Sequence, residues 1–115
     1  MTSSEKLVLA GKSAENNEEL ISQVEPKEDI FHTKAPGSPF VNIKSIRTNK
    51  LDRYEAATFC AVFSKEHRDN PGDIIVHQFK GSDISKKKAM KLGTFGVKNF
   101  KIIKVKKADI LKFKK

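Results

Sequence analysis

Apolar residues fall along this chain in segments whose spacing predicts a small α+β domain. Phe40, Val41, Ile43 and Ile46 mark a first strand over residues 40–47, its alternation interrupted near Ser45. Over residues 51–67 the period changes: Ala56, Phe59, Cys60 and Phe63 recur at i, i+3, i+4 and i+7, one face of a helix. Asn49 stands three residues before Asp52, the spacing of an N-cap and an acidic partner in the first turn. Asp69, Asn70, Pro71 and Gly72 end that helix in a turn. Residues 73–79, with Ile74, Ile75 and Val76, predict a second strand. Gly81 breaks it, Ser82 or Asp83 caps a short helix running to Leu92, and Gly93 takes the stop position. A third strand is expected over 97–106. There Phe100 and Ile102 take one parity while Ile103 and Val105 take the other, which a bulge or burial on both faces reconciles. Residues 109–113 add a short fourth strand if Leu111 and Phe113 alternate with lysines.

The resulting order is β-α-β-α-β(-β). It predicts a small mixed sheet of three or four strands with two helices on one face, occupying residues 39–115. Residues 1–38 read differently. They are polar and acidic, and Leu20, Ile21 and Val24 supply apolar material for only one helical turn. An acidic, flexible N-terminal arm is expected there.

Composition fits this picture. With 115 residues, 37% of them hydrophobic, the chain supports one thin core. The single cysteine, Cys60, excludes an internal disulfide and fits a small buried side chain in a reducing compartment. No apolar run approaches the roughly 18–20 residues that span a bilayer. The expectation is a soluble cytoplasmic protein with no membrane contact.

Charge changes the picture most. The formal net charge is +9. From Lys80 onward the chain carries thirteen lysines against two aspartates, residues 39–79 are nearly balanced, and residues 1–38 are net acidic. Such a block is the footprint of a polyanion partner, DNA or RNA. Only three basic residues are arginine (Arg47, Arg53, Arg68), and lysine contacts backbone phosphate more readily than it reads bases. Lys87, Lys88 and Lys91 share a face of the predicted second helix. With Lys80, and with Lys98, Lys101, Lys104, Lys106 and Lys107 on and after the third strand, they are expected to form one basic surface. Phe95 and Phe100, set among these lysines, are candidates for stacking on unpaired bases.

Other chemistry finds little support. His67, His77 and Cys60 lack the spacing and the fourth ligand of a zinc site. Gly11, Lys12 and Ser13 resemble the end of a phosphate-binding loop without its upstream glycine. Asp69, Asp73, Asp83 and Asp109 are better explained as caps and turn residues than as catalytic pairs. The expectation is a non-enzyme without cofactor or metal. Its rival is a small regulatory module that docks on an acidic surface of a larger enzyme or polymerase through its arm or a sheet edge.

Overall fold

The computed structural model describes residue 2 and residues 6–11, 13–34, 38–69, 72–85 and 96–113. Strands β1 (Val8–Ala10), β2 (Asp29–Thr33), β3 (Val41–Ile43), β4 (Ile74–Lys80) and β7 (Lys101–Val105) form one sheet in the order β1-β3-β2-β4-β7. Every neighbouring pair is antiparallel. Strands β5 (Ile84–Ser85) and β6 (Gly96–Val97) pair separately. Helices α1 (Ala14–Gln23), α2 (Lys50–Val62), α3 (Lys65–Asp69) and α4 (Lys107–Phe113) complete the domain. The α+β class expected from the sequence holds, with a wider sheet of five strands.

Register divides the side chains between two faces. Ile74, Val76, Ile103 and Val105 stand opposite one another across β4 and β7, and Phe31, Val41 and Ile43 continue that face. Ala56, Ala57, Cys60 and Ala61 of α2 and Ile110 of α4 close over it. Small helix residues allow close approach, so the large side chains come from the sheet. Phe31 is fully buried at the centre, worth about 1.5–3 kcal/mol in apolar transfer. On the other face, Leu20 and Ile21 of α1 pack on Ile30, Phe40 and Phe79, with Leu9, Ile84 and Val97 at the margin. Among the described residues, that second layer covers only part of its face.

The described residues within 8–33 of the expected flexible arm are instead built into the domain. Residues 8–10 and 29–33 supply β1 and β2, and β2 lies at the centre of the sheet. Its flanking carboxylates are buried because lysines neutralise them: Glu28 meets Lys44 Nζ at 2.7 Å and Asp29 meets Lys80 Nζ at 2.7 Å. Ser13 caps α1 by accepting the Asn16 N–H (3.1 Å), which extends the single turn seen in the sequence to ten residues.

The capping box at Asn49 and Asp52 forms as predicted, Asp52 N–H to Asn49 Oδ1 at 2.7 Å and the reciprocal bond at 3.1 Å. The helix after it divides at Phe63. Ser64 Oγ accepts the His67 N–H (3.1 Å) and opens a separate turn, α3, which leaves Phe63 exposed rather than on the buried stripe. Residues 109–113 belong to α4, not to a fourth strand. Over five residues a period of two and one of 3.6 look alike, and two hydrogen bonds decide for the helix. Asp73 Oδ1 accepts the Lys107 N–H (2.9 Å), and the Tyr54 hydroxyl accepts the Lys106 N–H (3.2 Å). The third expected strand splits into β6 and β7 around a bend, and its two parities become the two faces of β7. The helix expected up to Leu92 falls mostly outside the described residues.

Gly81 marks a close approach. A Cβ there would lie 2.3 Å from the Glu25 carbonyl oxygen, because Gly81 and Ser82 donate backbone hydrogen bonds to Glu28 and Pro26. The end of β4 is stitched in this way to the segment that enters β2.

Candidate nucleic-acid interface

The lysines singled out by sequence do different things in the fold. Lys80 is structural: its Nζ binds Asp29, which is 1% exposed and also accepts from Gln78 Nε2 at 2.9 Å and Thr48 Oγ1 at 2.7 Å. Lys104 reaches Asp73 at 3.6 Å, a loose and solvated pair. A backbone N–H of Lys107 holds the Asp73 carboxyl below its usual range, with Lys104 a smaller influence. Lys98, Lys101, Lys106 and Lys107 are exposed. The register of β7 sends Lys101 and Lys104 to opposite faces, so the strand's lysines do not form one surface. Lys87, Lys88, Lys91 and Phe95 lie outside the described residues.

A different set of cations comes together. A groove of about 600 Å³ runs between the first turn of α2 and the β4–β7 ladder. Lys50, Arg53 and Lys101 line it, with Leu51, Tyr54, Gln78, Ile102 and Ile103 as walls and floor. Arg53 is held in place: its Nη1 donates to the Thr48 carbonyl (2.8 Å) and to Thr48 Oγ1 (3.2 Å). Thr48 Oγ1 in turn donates to the buried Asp29. The network that neutralises Lys80 thus orients an arginine at the groove. Tyr54 is fixed by donating to Asp109 and accepting from Lys106; burial, and then the bond to Asp109, raise its pKa. Lys50 and Arg53 were legible as a cationic pair at i, i+3 on a well-capped helix, but the lysine block downstream overshadowed them.

On the opposite face, the described residues leave part of the sheet uncovered. Phe40, His32, His77 and Phe100 form a row across it. Phe40 and His32 lie 4.5 Å apart between ring centroids, and His32 stands directly across from His77 in the ladder. His77 stacks on Phe100 at 4.0 Å with 20° between planes. The row begins buried at Phe40 (7% exposed) and ends open at Phe100 (48%), beside Ile102 (64%). Both imidazoles are pushed below their ordinary pKa, His32 mainly by burial and His77 by burial and then by the Lys34 charge.

Among the described residues, no group of three or more His, Cys, Asp or Glu side chains could hold a metal ion. No described helix is long and apolar enough to cross a membrane.

A family model described as "NFACT protein RNA binding domain" matches residues 1–99, and the chain belongs to that family. Its match begins in the acidic segment, as the fold does. No curated protein matches. Among solved structures, the chain is similar to the C-terminal part of the fibronectin/fibrinogen-binding protein from Streptococcus suis, with a TM-score of 0.86 and 22% identity. The match covers 98% of this chain and 46% of the other, so this chain spans less than half of that structure's chain. At that identity the likeness concerns the fold.

Proposed function

We propose that this chain binds RNA mainly through the phosphate backbone, seated in the groove between α2 and the β4–β7 ladder. The observation that carries the reading is the meeting of Lys50, Arg53 and Lys101 around one groove in a member of an RNA-binding family. Phosphate contacts of this kind position a nucleic acid and supply its affinity without reading sequence. Arg53, pre-oriented by Thr48, suits a phosphate oxygen better than a freely rotating lysine would. Lys98, Lys106 and Lys107 extend the positive field beside β7 and at the start of α4. Sequence composition left DNA and RNA equal; family membership supports RNA.

A salt titration of RNA binding tests this. Four or five neutralised phosphates on a single strand give a slope of log affinity against log salt of about −3 to −3.5. The triple substitution Lys50→Ala, Arg53→Ala, Lys101→Ala is expected to make that slope shallower by about 2. A triple variant that keeps its fold by circular dichroism, and the same affinity and slope, overturns the groove as the phosphate site.

A further inference from the structure

We infer that the bare half of the sheet, opposite the groove, is a stacking platform for an unpaired base of the bound RNA. The inference rests on the RNA-binding reading and deepens it: the favoured ligand is single-stranded.

The geometry starts from β7. Lys101 and Ile102 are neighbours in sequence, so their side chains leave the strand toward opposite faces. Lys101 enters the cationic groove, and Ile102, which also borders that groove at the edge of the sheet, stands across from His77 on the other face. Because β7 is an edge strand, an RNA strand lying along it can keep phosphates on one side and fold a base over the edge to the other. What the base meets there is Phe100, already stacked on His77 and 48% exposed, with Ile102 at 64% beside it.

An aromatic ring and an isoleucine this open are costly to leave in water, since covering them would remove apolar surface from solvent. The His77 ring beneath Phe100 holds it flat, so little conformational freedom remains to be lost on binding. The surroundings suit the phosphates that flank such a base. Lys34 lies close enough to His77 to influence its charge, and Lys104 stands across from Ile75 on this face. A base in a duplex has both faces occupied by its neighbours, so only an unpaired base can use the platform. Stacking accepts any base, which agrees with a site that does little sequence reading.

The test compares a single-stranded RNA of about a dozen nucleotides with the duplex of the same sequence, using wild type, Phe100→Ala and Phe100→Trp. Phe100→Ala is expected to weaken single-strand binding by about 5- to 100-fold, as for one base–aromatic contact, with the salt slope unchanged. Duplex binding should change less than about twofold, Phe100→Trp should restore single-strand affinity, and an RNA carrying abasic positions should lose the sensitivity to Phe100. Equal losses on single strand and duplex, or no loss on either, overturn the platform; the second result is also what a protein occupant of this face would give. The groove triple variant separates the two readings. If it binds like wild type while Phe100→Ala loses single-strand affinity, the phosphate groove fails and the platform stands.

Discussion

Charges are handled in opposite ways at the two sides of β4. Toward β2, carboxylates and lysines pair at the margin of the core: Glu28 with Lys44, and Asp29 with Lys80, Gln78 and Thr48. Toward β7, lysines stand in solvent, and the ion pair there, Lys104 with Asp73, is loose at 3.6 Å. Both regions look charge-rich in sequence, yet one uses its charges to close the fold and the other leaves them available. Local net charge therefore does not tell which charges the fold leaves free. Glu28 and Asp29 at the end of the acidic N-terminal stretch are used in pairing, and Lys80, formally the start of the basic block, belongs to that pairing.

The sharpest way to break the comparison is at Asp29. Asp29→Ala leaves Thr48 and Gln78 without their acceptor and Lys80 without its counter-charge. Lys80 can turn toward water, because its side chain is 44% exposed, so the expected loss is about 3 kcal/mol, the low end for breaking a buried pair. Urea denaturation reads it, with the midpoint shifted and the slope preserved. The same variant should loosen Arg53 through Thr48 and weaken RNA binding. A stability change under about 0.5 kcal/mol would show that the pairing around β2 holds nothing together.

Glu28→Gln follows. Its carboxylate, 6% exposed, receives Lys44 at 2.7 Å and the Glu25 N–H at 3.0 Å. The amide keeps one acceptor, so about 1–2 kcal/mol is expected, again by urea denaturation. On the other side of β4, Lys106→Ala and Lys107→Ala should leave stability within about 0.5 kcal/mol of wild type. Each should still weaken RNA binding and make its salt slope shallower by about 0.7. If either lysine variant destabilises the fold as much as Glu28→Gln does, the two regions do not differ in kind.

The legible part of the fold was what local chemistry fixes. Asn49 and Asp52 announced the start of α2, and Ile74, Ile75 and Val76 announced β4, because caps and dense β-branched runs have few alternatives. Strand β2 was hidden: Asp29-Ile30-Phe31-His32-Thr33 sits among charges that look solvated until Lys44 and Lys80, distant in sequence, arrive to neutralise them. Val41 and Ile43 marked β3, although the expected strand over 40–47 shortens to three residues, whereas β1, three residues long in a polar stretch, carries too little periodicity to stand out. Of the site, the exposed lysines on and after β7 and the stacking candidate Phe100 were visible in sequence. The groove was not, since it needs α2 laid against β7 before Lys50 and Arg53 can meet Lys101.

The finest distinction between the two sides of β4 concerns protons. His32, on β2, is held below its ordinary pKa of 6.5 by burial first, then by the charge of His77, against a hydrogen bond with the Thr33 carbonyl that favours the charged form. The unfolded chain takes up a proton at the ordinary value and the folded chain only at lower pH. Between those two values the unfolded state binds more protons, so stability is greatest above about pH 6.5 and falls as pH drops through the folded value. Thermal melts at pH 7.5 and 5.0 should show a lower midpoint in acid, and His32→Phe, which keeps a ring against Phe40, should reduce that difference. His77 contributes in the same direction, from burial and then Lys34, so the variant removes only part of the effect. A melting point that rises on acidification, or an acid sensitivity that His32→Phe leaves untouched, would mean that the imidazole row is solvated enough to take up protons without cost, and the buried end of the row would then be no different from its open end.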